Sequence, residues 1–369
     1  MTAGEPLGVA VVGCGTISDQ YLTNLTAFPD LRVLFCADLD AGRAAAQAAA
    51  YGVPAHGSTK DALAHPGVDL VVNLTLPAAH HDVAAAAIDA GKHVWNEKPL
   101  TLDPVSGAGL VARAAAAGVR LGCAPDTFLG AGLQTARRLL DEGAIGAPLS
   151  GLALMQTPGP ESWHPSPEFY FLRGGGPLFD MGPYYLTCLA TLFGPAERVA
   201  AVARTGRETR VIGSGPKAGT EFPVEVPTHV AALLDYAAGQ TASLVVSFDS
   251  PLNRQGWVEI TGTEATLALP DPNRFDGSLR LRRAGSAEWT EIEAAGATAG
   301  RGMGALDMAR SLAAGEPHRA SGELAQHVLE TMAAVERSAQ DGEFVPVGGA
   351  GFTVPAALPA DWDPGVRMR

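Results

Sequence analysis

Apolar positions in the first third of the chain fall into short runs, each followed by a stretch with helical spacing. Residues 7–12, 31–37, 68–74, 92–96 and 119–123 are the runs. Residues 16–28, 41–51, 78–90 and 104–117 are the helical stretches, several of them rich in alanine. Strands separated by helices in this way imply right-handed βαβ units and a parallel sheet. Beyond about residue 125 the pattern changes. Helices are predicted over 132–142 and 179–193. Strand-like segments follow at 199–205, 228–237, 241–249, 256–261, 265–269 and 278–283, divided by Gly, Pro and Asp turns. These read as an antiparallel or mixed sheet. A late amphipathic helix over 321–340 precedes a proline-rich tail, 352–369, expected to run extended over the surface.

A chain of 369 residues is long for one domain and comfortable for two. Its 47% hydrophobic and 18% charged residues are ordinary for a soluble protein. The net charge of −13 argues against nucleic acid or an acidic membrane surface as partner. No apolar run reaches the length of a membrane span, and the start of the chain has no basic leader region. Cys14, Cys36, Cys123 and Cys188 form no CxxC pair and read as small buried residues. A reducing compartment, the cytoplasm, is expected, and no metal site.

Two features carry chemistry. The first is the turn Gly13-Cys14-Gly15-Thr16-Ile17-Ser18, placed after a strand and before a helix. Gly13 permits the tight turn. Gly15 lets backbone approach a pyrophosphate at the helix N-terminus, and Ser18 is small enough for close packing of helix on strand. The main chain of Gly13, Gly15, Thr16 and Ile17 is therefore the candidate cofactor cradle. Asp38 lies 20 residues beyond Ser18, at the end of the second strand. A carboxylate there accepts hydrogen bonds from ribose hydroxyls and repels a 2′-phosphate, which favours NAD over NADP. Asp38 or Asp40 is alternatively a helix cap, and Arg43 keeps NADP open as the second cofactor. The second feature is Glu97-Lys98-Pro99, at the end of a later apolar strand. Ends of strands in open parallel sheets are where ligands bind, so Lys98 brings an ammonium beside the cofactor. Together the two features point to a nicotinamide-dependent oxidoreductase.

Further segments add to these: Thr75-Leu76-Pro77-Ala78-Ala79-His80, Ala90-Gly91-Lys92-His93-Val94, and Gly174-Gly175-Gly176 followed by Asp180-Met181-Gly182-Pro183-Tyr184. With the glycine turn and Glu97-Lys98-Pro99, the chain resembles the glucose-fructose oxidoreductase/inositol dehydrogenase/rhizopine-catabolism (Gfo/Idh/MocA) family over most of residues 7–345. The resemblance implies an N-terminal Rossmann domain with a parallel sheet over 1–124. It also implies a C-terminal α/β domain over 125–369, whose open, mostly antiparallel sheet serves substrate binding and the assembly of homodimers or homotetramers. It implies that Lys98 hydrogen-bonds the reacting hydroxyl and that Asp180 holds the substrate or the base. Thr75, Leu76 and His80 would lie near the nicotinamide half of NAD, with Glu97 bracing the lysine or touching the cofactor. His80 alternatively is a plain N-terminal helix residue.

At Tyr184 many members of the family carry a histidine that acts as acid/base. Tyrosine there resembles the glucose-fructose oxidoreductase and dihydrodiol/xylose dehydrogenase branches. A phenol titrates near 10 unperturbed and needs a cation to help it, which Lys98 can supply. At Asp126 relatives often carry Asn or Arg, and a carboxylate at that place would meet substrate hydroxyls. In the proline-rich loop 161–169, Trp163 is a candidate to stack on a sugar ring and His164 an alternative proton acceptor. Loop packing and solvation are the plainer roles for that pair. The expectation is a reversible dehydrogenase of a carbohydrate-like secondary alcohol. A keto-sugar or dihydrodiol-type reductase is the rival within the class, and a nucleotide-binding regulator without activity the rival outside it.

Overall fold

Every side chain of the first run is buried, and it forms the strand β1 (Leu7–Val12). The computed structural model describes residues 5–349 and 351–368. The leaderless start expected at 1–4 and the last residue of the expected tail, 369, lie outside them. β2 (Leu31–Ala37), β3 (Ala55–Gly57), β4 (Leu70–Asn73), β5 (His93–Asn96) and β6 (Leu121–Cys123) join β1 in one sheet. Their order is β3-β2-β1-β4-β5-β6 and every pairing is parallel. The order reverses between β1 and β4, the switch point at which doubly wound sheets bind nucleotides.

Five helices connect these strands: α1 (Ser18–Leu25), α2 (Ala41–Tyr51), α3 (Thr59–Ala64), α4 (His80–Asp89) and α5 (Pro104–Ala117). Their ends follow from sequence. Asp40 caps α2 by accepting from the N–H groups of Gly42 and Arg43, and Gly52 ends it in the left-handed region. Asp103 caps α5, with Pro104 at its first position. β3 and α3 escape the hydrophobic pattern because both are short and half-exposed.

The second compact unit begins at Gly132. Its elements are α6 (Ala131–Asp141), β7 (Pro148–Gln156), α7 (Gly176–Asp180), α8 (Gly182–Phe193), β8 (Ala196–Arg204), β9 (Thr209–Val211), β10 (Glu221–Pro223), β11 (His229–Tyr236), β12 (Thr241–Ser247), β13 (Arg254–Gly262), β14 (Ala265–Leu269), β15 (Leu279–Arg283) and β16 (Thr290–Ile292). With the later β17 (Val345–Pro346), most of them build a nine-stranded sheet, β16-β15-β14-β13-β7-β12-β11-β8-β17. β7 and β12 pair in parallel and all other neighbours antiparallel. β9 and β10 form a separate hairpin. α8 covers one face so closely that a Cβ on Gly151 would stand 3.0 Å from Leu189 and Phe193.

The opposite face of this sheet carries an apolar row. Val202 pairs with Ala231, Ala231 with Val245, Val245 with Leu154, and Leu154 with Trp257. Leu152 and Leu233 flank the row. Alternation along β7, β11 and β12 places their side chains of this row outward while the neighbours are buried, and Val202 and Trp257 extend the row on β8 and β13.

Two later segments pack with the first unit, 295–329 and the residues from Pro355 onward, although the sequence reading ran the second domain unbroken from 125. The first of them contains α9 (Met303–Ala314), which is buried throughout its first nine residues and which the sequence pattern did not reveal. Gly304 lies so close to Trp95 that a Cβ there would overlap the indole. Arg310 of α9 pairs with Asp30 and stacks on Trp362, which fastens the tail. α10 (Gly322–Asp341) follows, and the boundary between the units falls within it.

Candidate functional site

In the first unit, the chain leaves the C-terminal ends of three adjacent strands, β1, β4 and β5, through the segments singled out in the sequence. After β1, Gly13 adopts φ +96°, and a Cβ there would collide with the backbone of Leu74 and Thr75. Only glycine fits this turn. At Gly15 a Cβ would meet nothing within 4 Å, so the backbone faces open space at the start of α1. α1 has no side-chain cap, and the Ser18 hydroxyl instead donates to the Gly15 carbonyl at 2.6 Å. A bare helix N-terminus behind an open glycine turn suits the pyrophosphate of a dinucleotide.

Asp38 and Asp40 make different contacts in the structure. Asp40 is the cap of α2. Asp38 stands at the end of β2 and reaches back to the glycine turn. Its Oδ2 accepts from the Cys14 N–H at 2.8 Å, and its Oδ1 accepts from the Asp40 N–H at 2.8 Å and pairs with Arg43. Arg43 is the exposed partner, 58% of its side chain being accessible against 8% for Asp38.

The ends of β4 and β5 are tied by buried amides that sequence reading did not single out. Asn73 donates to Asn96 Oδ1 at 2.6 Å and accepts from the Thr75 hydroxyl at 2.7 Å, and Asn96 donates to the Leu100 carbonyl. His80 is buried here. Its ring nitrogens lie 2.7 Å from the Pro99 carbonyl and 3.0 Å from that of Thr75. Burial pushes the imidazole below the usual histidine range, while the two facing carbonyls act in the opposite direction. Its observed contacts are with protein backbone, and it pins the loops that carry Thr75 and Lys98. Leu76 is largely exposed beside Thr75.

Glu97 is buried, with Oε1 accepting from the Tyr21 hydroxyl and Oε2 accepting from the Lys98 N–H. The carboxylate thus braces the lysine from below. Asp126, expected against substrate hydroxyls, is instead fully buried. Its Oδ2 accepts from the N–H groups of Gly302 and Gly304, capping the start of α9. The remaining oxygen has no hydrogen-bond partner among the described residues, and burial pushes the carboxyl up to about 6. The correction has a simple cause: the sequence pattern gave no sign of the helix whose N-terminus needs this acceptor.

In the second unit, Gly175 and Gly176 turn the chain into α7, which ends at Asp180. Tyr184 occupies the first turn of α8 and is buried, while Asp180 is half-buried. The neighbouring Tyr185 is spent structurally, its hydroxyl accepting from the Gly256 N–H. The loop between β7 and α7 carries a cluster of aromatic rings. His164 sits edge-on to Trp163, Phe169 and Tyr170 at centroid distances of 5.4–5.5 Å. Trp163 is 64% exposed. His164 Nδ1 accepts from the Ser166 N–H, which uses the only lone pair of the neutral ring and leaves hydrogen on Nε2. Buried Arg210 fastens the loop's base by pairing with Glu161 and Asp249 and donating to the Pro158 carbonyl. Nothing in the local sequence marks Arg210, which lies about 50 residues from the loop it holds.

Residues 7–124 match the family model described as an oxidoreductase family with an NAD-binding Rossmann fold. Residues 133–268 match that of the GFO/IDH/MocA C-terminal domain. The D-xylose 1-dehydrogenase (NADP(+)) 2 of Haloferax volcanii is 28% identical over 336 residues, 84% of this chain and 90% of that protein. The trans-1,2-dihydrobenzene-1,2-diol dehydrogenase of Mus musculus is 27% identical over 261 residues, 68% of this chain and 71% of its own. Levoglucosan dehydrogenase in complex with NADH and levoglucosan has the same fold, with a TM-score of 0.81 at 22% identity, covering 94% of this chain and all of that one.

Proposed function

The chain belongs to the GFO/IDH/MocA family of NAD(P)-binding oxidoreductases, and from that premise we propose that it oxidises a secondary alcohol of a sugar, inositol or glycoside. The observation that carries this reading is the row of strand ends in the first unit. Lys98 follows β5, Thr75 follows β4 and the open glycine turn follows β1, all at one edge of the sheet. A fixed ammonium at that edge stabilises an alkoxide as it forms. The relatives named for D-xylose and for a dihydrobenzenediol are dehydrogenases of hydroxyl-bearing carbon compounds, which supports the same substrate class here.

Gly13, Gly15, Thr16 and Ile17 would hold the pyrophosphate by backbone, and Asp38 the adenosine ribose. Bound nicotinamide supplies the hydride acceptor. The residues of the chain do the rest. Lys98 donates to the substrate oxygen, and Asp180 orients the substrate through its hydroxyls. The hydroxyl proton passes to Tyr184 Oη, which has to be a phenolate at that moment and becomes the phenol. His164 is the weaker candidate for that proton because its one lone pair already accepts from Ser166. Trp163, exposed at the loop tip, offers a ring face to a pyranose.

The apolar row on the nine-stranded sheet supports a homodimer or homotetramer in which a second copy covers that face. No described helix is long and apolar enough to cross a membrane. The four cysteines are free and buried, which fits a cytoplasmic protein. The function is tested by incubating the protein with NAD or NADP and a panel of aldoses, inositols and anhydro-sugars. Reduced cofactor and a keto product in equal amounts are expected for at least one of them. No turnover with any member, despite cofactor binding, would overturn the reading.

A further inference from the structure

A buried phenol links the helix behind the glycine turn to the backbone of the lysine, and we propose that Tyr21 is a positioning residue through which dinucleotide binding sets Lys98. The inference rests on the role given to Lys98 above.

Tyr21 lies three residues into α1 and is fully buried, as are Leu22 and Leu25 of the same helix. Its hydroxyl is used twice. It donates to Glu97 Oε1 at 2.7 Å and accepts from Trp95 Nε1 at 3.3 Å. The other carboxylate oxygen of Glu97 accepts from the Lys98 N–H at 2.9 Å. Glu97 is held by its main chain as well, its N–H donating to the Asn73 carbonyl. The chain of contacts therefore runs from α1, through one phenol and one carboxylate, to the peptide that carries the lysine. Asp126 and Arg301 are the other charged groups that act on the phenol.

Packing alone does not ask for this hydroxyl. Phenylalanine would fill the same space, and burying a hydroxyl is costly unless it is hydrogen-bonded. Burial also raises the phenol well above its ordinary range, which keeps the proton on the hydroxyl that donates to Glu97. The same helix presents its uncapped N-terminus at Gly15, where Ser18 bonds the turn. A ligand that orders this end of α1 acts on a rigid element whose next turn holds Glu97. Two sites that share one rigid element are coupled, and the coupling is reciprocal. Sequence motifs place the glycine turn and the Glu97-Lys98 pair far apart, and Tyr21 is the residue that joins them.

Tyr21→Phe removes the hydroxyl and keeps the ring. Three readouts are compared in the parent and the variant: NADH affinity by fluorescence, turnover on the substrate found in the panel, and amide hydrogen exchange at Glu97 and Lys98 with and without NADH. Expected is an NADH affinity within about threefold of the parent and a kcat lower by about tenfold or more, the scale of a mispositioned catalytic group. The slowing of exchange at Glu97 and Lys98 by NADH, present in the parent, should be lost in the variant. Glu97→Gln, which keeps an oxygen for the phenol but removes the charge, should show the same loss of coupling, and the double variant should be no worse than the worse single one. Parental kcat in Tyr21→Phe would overturn the proposal. So would retained NADH protection at Lys98, or a fall in kcat matched by an equal fall in NADH affinity. The exchange experiment needs no substrate. If the panel yields no turnover, the functional reading fails, while loss or retention of NADH protection still decides the role of Tyr21.

Discussion

The carboxylate of Asp38 accepts a hydrogen bond from the backbone N–H of Cys14, so the residue that ends β2 also shapes the glycine turn after β1. Asp38, proposed as the ribose acceptor, is thus also a strut for the glycine turn. Arg43 partly neutralises it at 3.1 Å. Asp38→Ala should weaken NAD binding and narrow the gap between NAD and NADP, because the charge that repels a 2′-phosphate is gone. Arg43→Ala should widen the gap by freeing the carboxylate. Titration of each variant with both cofactors checks this. An Asp38→Ala protein that keeps the parental preference would refute the assignment.

For the proton acceptor, Tyr184→Phe should cut kcat by roughly two orders of magnitude or more, as expected for loss of a general base. His164→Ala should act on KM more than on kcat, since the ring belongs to an aromatic cluster at the loop tip. Steady-state kinetics on the two variants reverse the assignment if His164→Ala abolishes turnover and Tyr184→Phe does not.

Asp126 carries a pH signature of stability. Its carboxyl is raised from 3.8 to about 6 by burial. The folded chain binds this proton more tightly than the unfolded one. The group's contribution to stability is thus most favourable below 3.8, falls as pH rises to about 6, and is flat above. Asp126→Asn removes the titration and leaves an oxygen for Gly302 and Gly304. The unfolding midpoint of the parent should fall relative to that of the variant across this window. A parent that gains on the variant as pH rises would contradict it.

The proposed assembly uses the row Val202, Ala231, Val245, Leu154, Trp257 and its neighbour Leu233. Leu233→Asp puts a charge in the middle of that face and should shift the protein toward monomer in light scattering at micromolar concentration. A parent that is already monomeric would remove the basis for the interface.

Much of this architecture was legible in the sequence wherever local chemistry sets local structure. The runs at 7–12 and 31–37 became strands at the expected bounds, and Asp103-Pro104 and Gly118 bounded α5. Gly13 announced its turn because no other residue fits. What stayed hidden depends on contacts between distant segments. α9 buries Asp307 and Arg310 together with its apolar residues, so its polar positions mark no solvent face for a pattern to detect. β9 and β10 are three residues each and are held by Arg210 from its ion pairs. The Tyr21–Glu97 bond spans 76 positions, and Asp126 finds its partners 176 and 178 residues away. No spacing rule reaches that far, and the burial of Asp126 is a property of the folded unit alone.

The proposed reaction is hydride transfer from a carbinol carbon to the nicotinamide, assisted by Lys98. The decisive experiment uses the active polyol of the panel with deuterium at the carbon that is oxidised. The deuterium should appear at C4 of the reduced nicotinamide, as read by NMR. Lys98→Ala should transfer it at least about a hundredfold more slowly while still binding NADH. Reduced cofactor free of deuterium, or a Lys98→Ala variant that transfers it at the parental rate, would refute this mechanism.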